Sequence, residues 1–301
     1  MKTIKCLLGI FFWSATLISA SGQLIEHESI TVKPEKPFRI AYKQVDTVNL
    51  GLHFYYPEGF SFSHSYPAII FFHGGGWNTG SYKHFMNHAQ YLRTRGIISV
   101  LAEYRIKSKH GTTPFEAVKD AKSAIRFLRK YAGQFYIKPD SIVAGGGSAG
   151  GHLAAVAGNI EGLEESDEDQ SISSKPNALV LFNPVFDNSP EGYGYNRIGE
   201  RYTEISPMHN ISPGAPPTIV FFGTEDPLIS PEQAKKYKKR MEQAGSRCDL
   251  FLYEGQKHGF FNYGNTKYYL KTVYQMHKFL VSLGYIDGEP SIREFENNLR
   301  K

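Results

Sequence analysis

Cysteine is nearly missing from this sequence: 301 residues hold only Cys6 and Cys248, so no disulfide framework can staple the fold. Metal-ligand spacing is missing too. His84 and His88 share a helix face, but no supporting carboxylate is in place, and both read as solvated histidines. No glycine cluster is followed by the lysine that a Walker-type phosphate loop requires. Neither sign of charge dominates: 34 Lys and Arg stand against 29 Asp and Glu. The net charge of +5 is spread along the chain, with no basic patch for nucleic acid. No internal repeat is visible, and nothing calls for a metal or a cofactor.

What is there begins with a leader pattern. Lys2 and Lys5 precede an apolar stretch over residues 7–18, followed by Ser19, Ala20, Ser21 and Gly22. That order is the signature of an export signal, and the stretch is short for a bilayer, so stable membrane insertion is not expected. Removal of residues 1–22 would leave Gln23 first, a single catalytic domain over residues 23–301, and a secreted or periplasmic protein. Cys6 would be lost with the leader, leaving Cys248 as a small apolar residue at the start of a late strand.

The remainder alternates two patterns. Residues 68–72 (Ala-Ile-Ile-Phe-Phe) form a continuous apolar run, repeated at residues 97–102, 141–145, 178–182, 218–223 and 248–253. Such runs suit strands buried on both faces of a parallel sheet. Residues 45–56 have the character of edge strands. Between the runs lie helical patterns. Over residues 114–131, Val118, Ala121, Ile125 and Leu128 recur at steps of three and four, with basic residues on the other face. A second helix starts after the N-cap Ser230 with Pro231 in its first turn and stops at Gly245, and a third covers residues 267–283. The fold class is therefore α/β, a mainly parallel sheet with helices on both faces. Two stretches break the alternation. Residues 161–175 are polar and acidic and read as a solvated surface loop. Residues 183–217, rich in proline, are either an ordinary connection or an insertion that roofs a pocket.

Gly146, Ser148 and Gly150 form G-x-S-x-G between an apolar strand and a helical run. A strand-to-helix turn that holds a serine in a strained conformation needs such neighbours, because a Cβ beside it would meet the adjoining strand and helix. Alone the pattern is weak, with roughly 0.2 matches expected by chance in a chain of this composition. The same stretch carries G-x-G-x-x-G through Gly145, Gly147 and Gly150. That dinucleotide reading wants an acidic residue at the end of a second strand about twenty positions on, whereas Asp167, Glu168 and Asp169 fall in the polar loop.

His73-Gly74-Gly75-Gly76-Trp77 is sharper, with roughly 0.01 chance occurrences. Glycine N–H groups approach a developing oxyanion without obstruction. Together with Gly-Gly-Ser148-Ala-Gly-Gly, this run resembles the hormone-sensitive-lipase-like branch of the α/β-hydrolase fold, close to bacterial esterases that deacylate plant polysaccharides. The resemblance covers residues 55–283. It implies an oxyanion hole from the N–H groups of Gly75, Gly76 and Ala149, and it makes His73 a loop brace. Trp77, beside the loop, suits contact with a sugar or phenolic group of the substrate.

In this fold the acid and base follow the nucleophile on loops at successive strand ends. Asp226 follows the run ending at Gly223, and His258 follows the run ending at Tyr253. Glu225 is an alternative acid and Asp187 a more remote one. His152 is expected to pack near the site, while Glu103, Tyr104, Arg105, Asp120 and Arg126 resemble structural polar positions. The expectation is a serine carboxylesterase acting through Ser148, His258 and Asp226 on acetyl or feruloyl esters of a small molecule or polysaccharide. Alternatives are a peptidase of the prolyl-oligopeptidase type and a binding protein without catalysis.

Overall fold

A computed structural model describes residues 22–292; the leader expected over residues 1–22, apart from Gly22, and Cys6 lie outside the described residues. The apolar runs appear as strands of one sheet. Its members are β1 (Gln23–Leu24), β2 (Phe38–Val45), β3 (Val48–Tyr55), β4 (Tyr66–Phe72), β5 (Ile98–Ala102), β6 (Ile137–Gly147), β7 (Ala178–Phe182), β8 (Thr218–Gly223) and β9 (Cys248–Tyr253). The spatial order is β1-β2-β3-β5-β4-β6-β7-β8-β9. The first three strands pair antiparallel and β3 meets β5 antiparallel, while every pairing from β5 through β4 to β9 is parallel.

The helices are α1 (Met86–Arg93), α2 (Lys107–His110), α3 (Pro114–Lys130), α4 (Ala149–Asn159), α5 (Tyr195–Ile198), α6 (Pro231–Gln243) and α7 (Thr266–Ser282). Successive side chains of a strand alternate between faces. On β4, Ile70 and Phe72 join the core under α3, α4 and α6, whereas Ile69 and Phe71 join the core under α1 and α7. Local signals set the helix starts. Thr113 and Glu116 form a reciprocal capping box ahead of α3, and the Ser230 hydroxyl accepts from the Glu232 N–H ahead of α6. No helix among the described residues is long and apolar enough to cross a membrane.

Three expectations are corrected. β3 is interior, between β2 and β5, and buries Leu52 and Phe54 completely; the edge at the other end is β9, which is only half-buried. The basic residues of α3 do not all face solvent: Lys122 and Arg126 are buried. Nor is the acidic stretch 161–175 simply solvated, because Glu165 and Glu168 are buried as well. Lys43 on β2 sits 2.7 Å from Asp120 and 2.8 Å from Glu165, Arg105 joins both carboxylates, and Arg126 pairs with Glu164 and Glu168. Buried charge survives only when paired and hydrogen-bonded. The stretch is therefore acidic because it supplies the counter-charges for cations on β2 and α3, a long-range match that charge counting along the chain misses.

Candidate active site

The parallel strands diverge at β4: β5 lies on one side and β6 on the other. In open α/β sheets the crevice at such a reversal, at the carboxyl ends of the strands, is where ligands bind. The glycine loop leaves β4 and the serine turn leaves β6 at that crevice. A cavity of about 350 Å3 there is lined by Gly74, Gly75, Gly76, Ser148, Tyr193 and His258, among others.

Ser148 adopts φ 54° and ψ −119°, a conformation held only where the surroundings over-determine it. Its N–H donates to Phe182 O at 2.9 Å, and its carbonyl accepts from His152 N at 3.0 Å in α4. The close approach expected beside the serine is present: a Cβ on Gly150 would lie 2.0 Å from Phe72 O, and one on Gly146 2.4 Å from the Gly150 carbonyl carbon. The turn thus brings the first turn of α4 against the end of β4, with the Ala149 N–H among the helix donors that lack an intrahelical partner.

The glycine loop is oriented by its carbonyls. The Gly74 carbonyl accepts from His73 Nδ1 at 2.7 Å, and the Gly75 carbonyl from the Thr79 N–H at 3.0 Å. The Gly76 carbonyl accepts from Arg197 Nη1 at 2.8 Å, and the His73 carbonyl from the Tyr104 hydroxyl at 2.7 Å. A trans peptide sets each carbonyl opposite the following N–H. Tying the Gly74 and Gly75 carbonyls therefore turns the N–H groups of Gly75 and Gly76 the other way, and neither has a hydrogen-bond partner among the described residues. Gly75 has φ 118°, and a Cβ there would lie 2.2 Å from Thr79 O. His73 is the loop brace expected of it; burial lowers its pKa to about 4.

His258 Nδ1 lies 2.7 Å from Asp226 Oδ2. Asp226 is buried, and its other oxygen accepts from the N–H groups of Leu228 and Ile229 at 2.9 and 3.1 Å. Glu225, the alternative acid, is exposed, and Asp187 accepts from the Ser189 N–H. Ser148 and His258 share the cavity, but no hydrogen bond joins their side chains. The neighbour of His258 Nε2 is instead Asn183 Nδ2, at 3.3 Å. Asn183 Oδ1 accepts from the Gly259 N–H at 2.9 Å, which fixes the amide so that its NH2 faces the ring. An imidazole that donates from Nδ1 to a carboxylate and accepts at Nε2 is in the tautomer a general base needs. Asn183 escapes a reading for acids, bases and nucleophiles; its one sequence signal is its place directly after an apolar run, at the carboxyl end of β7.

Trp77 does not contact the cavity as expected. It is 2% exposed, with its ring 5.0 Å from His152 and 6.0 Å from Tyr193, so it packs behind the loop. The segment 183–217 instead presents Tyr193 to the cavity. His152 is buried, with its pKa lowered to about 4 by burial, and Nε2 lies 2.8 Å from Ile205 O. The solvated reading of His84 and His88 also fails. His88 is 1% exposed among Phe85, Phe182 and Tyr269, and burial lowers it to about 3. His84 lines the cavity.

A strained serine at a strand-to-helix turn, a preformed N–H loop and an Asp-supported histidine define the serine-hydrolase class on an α/β-hydrolase sheet. Comparison with known proteins narrows the class. Residues 52–190 match the BD-FAE family and residues 183–279 the dienelactone hydrolase family. The structure of Thermogutta terrifontis esterase 2 phosphoramylated by tabun is 41% identical, with a TM-score of 0.81 over 84% of this chain and 97% of that one. The propionate-bound structure of the same esterase is 40% identical, with a TM-score of 0.80 over 84% and 96%. An acetylxylan esterase of Xylanibacter ruminicola is 28% identical over 64% of this chain and 41% of its own length. A probable isoprenylcysteine alpha-carbonyl methylesterase of Arabidopsis thaliana is 28% identical over 64% and 45%. The chain thus spans less than half the length of these two curated relatives. It belongs to the carboxylesterases of the α/β-hydrolase fold.

Proposed function

We propose that this chain hydrolyses short-chain acyl or feruloyl esters, carried by a small molecule or a carbohydrate, through an acyl-enzyme on Ser148. The observation that carries the reading is the convergence of the strained Ser148, the free N–H groups of Gly75 and Gly76, and the Asp226–His258 pair on one cavity of about 350 Å3. Ser148 Oγ gives its proton to His258 Nε2 as it attacks the ester carbonyl. The new oxyanion is received by the N–H groups of Gly75, Gly76 and Ala149, each worth about 3 kcal/mol of barrier. The imidazolium is held by Asp226 and returns the proton to the leaving alkoxide; water activated at the same nitrogen then releases the acid. For Nε2 to take the serine proton, the Asn183 amide must yield the position it holds at 3.3 Å.

The size of the cavity favours a short acyl group, and a neighbour of 39% identity and TM-score 0.80 is a butyrate-bound esterase structure. A carbohydrate substrate is supported by the likeness to the acetylxylan esterase. The basic and apolar leader of residues 1–22 supports export, leaving residues 23–301 as one catalytic domain outside the cytoplasm.

The test is turnover of p-nitrophenyl esters of rising chain length, with Ser148→Ala beside the wild type, followed by acetate and ferulate release from xylan. A preference for acetate that vanishes in the variant is expected. No Ser148-dependent turnover on any ester, together with no labelling of Ser148 by a fluorophosphonate, would leave a binding role instead.

A further inference from the structure

The mechanism above makes no use of His84, which comes on the 3-10 turn Tyr82–Phe85 ahead of α1. Its ring joins two loops and lies beside the end of β6. Nδ1 accepts the Gly74 N–H at 3.0 Å, on the glycine loop. Nε2 lies 2.6 Å from Asn262 Oδ1, four residues beyond His258. A Cβ added to Gly74 or to Gly147 would lie 3.4 Å from His84 Cε1, so the ring packs in contact range of both glycines beside the nucleophile. These contacts fix the chemistry of the ring. A nitrogen that accepts a backbone N–H carries its lone pair there, so the proton is on Nε2, where it is donated to Asn262. Protonation would set an N–H against the Gly74 N–H; burial lowers the His84 pKa and keeps the ring neutral.

We propose that His84 is a positioning residue for the transition state, a neutral strut that holds the Gly74–Gly76 loop in register with the loop carrying His258. The inference rests on the ester-hydrolysis reading above and deepens it. The glycine loop is tied elsewhere through its carbonyls, whereas His84 holds a loop N–H, that of the residue directly before Gly75 and Gly76. An oxyanion hole works only if its donors stand at hydrogen-bond distance from the oxyanion rather than from the resting carbonyl. A strut between the donor loop and the base loop therefore acts on kcat and leaves ground-state binding largely alone.

The ring nitrogens can be tested separately, because an asparagine amide oxygen stands near the place of Nδ1 and a glutamine amide near that of Nε2. Kinetics on p-nitrophenyl acetate would be measured for the wild type, Ser148→Ala, His84→Ala, His84→Gln and His84→Asn, normalised to sites labelled by a fluorophosphonate, with thermal midpoints alongside. His84→Ala is expected to lower kcat roughly ten- to hundredfold with KM within about threefold, while His84→Asn, which keeps only the Gly74 tie, and His84→Gln, which keeps only the Asn262 tie, each recover only part of that loss. Variants that lower the midpoint but keep kcat per labelled site within about threefold would make His84 a mere packing residue and overturn the proposal. So would a His84→Asn or a His84→Gln at full wild-type kcat, since each lacks one end of the strut, a comparison that stands even if the alanine variant does not fold. A wild type without Ser148-dependent turnover would overturn the esterase reading and the strut with it; an active wild type with unaffected His84 variants would overturn the strut alone.

Discussion

Arg197 reaches across 121 positions of sequence to place Nη1 2.8 Å from the carbonyl of Gly76. The guanidinium also lies 5.5 Å from the centre of the Tyr193 ring, and a Cβ on Gly76 would meet Nη1 at 2.4 Å. The segment between β7 and β8 is thus a clamp on the last glycine of the donor loop. Arg197→Ala is expected to lower kcat on a short ester roughly five- to tenfold, about 1 kcal/mol of barrier, with little change in thermal midpoint because the side chain is exposed. An unchanged kcat would show that the remaining ties hold the loop by themselves.

The charge network under β2 predicts a stability effect remote from the site. Lys43 is fully buried between Asp120 and Glu165. Replacing it with methionine leaves two buried carboxylates sharing Arg105 and an outer lysine, Lys119. Breaking one partner out of such a set costs roughly 3 kcal/mol. Urea titration of Lys43→Met should show that loss, and a change under about 1 kcal/mol would mean that the remaining cations suffice.

Acid stability should depend on Glu103. Burial alone would raise its carboxyl, but hydrogen bonds from His53 and Arg39 outweigh it and hold the pKa at about 2, against an ordinary 4.5. Between those values the unfolded chain binds more protons at this site than the folded one, so stability rises with pH across that window. The contribution is complete above the ordinary value and is lost as pH falls toward about 2. Glu103→Gln should flatten the pH dependence of the denaturation midpoint in that range; parallel curves for variant and wild type would refute the assignment.

Cys248 is 4% exposed at the start of β9, and burial pushes its thiol up to about 12. The thiolate is the reactive form. The native protein should resist a thiol-specific chromogen at neutral pH and react once unfolded in urea. Rapid labelling without denaturant would show that the β9 edge opens.

The sheet and the triad candidates were legible in the sequence because each depends on a local pattern. The strands from 178 to 182, 218 to 223 and 248 to 253 begin and end where the apolar runs do. Ser148, Asp226 and His258 each follow such a run closely, so chain order alone placed them at one end of the sheet. What escaped was relational. The partners of Lys122 and Arg126 went unread because their carboxylates lie about forty residues away. Trp77 looked available because it adjoins the glycine loop, but a backbone at φ 57° sends it into the core. His84 reads only as half of a solvated pair and Asn183 follows an apolar run like many loop residues, since what singles them out is the loops they bridge.

The order of the strands gives the Asp226–His258 pair one more property. Ser148 and the glycine loop sit at the middle of the sheet, on β6 and β4, whereas the acid and the histidine follow β8 and β9, the last two strands made and the outermost on that side. On the proposed mechanism, a chain cut before β9 keeps Ser148 but lacks His258, and so has nothing to take the serine proton. Loss of the last strand is therefore expected to abolish ester cleavage outright rather than reduce it, leaving truncated chains inert rather than partly active.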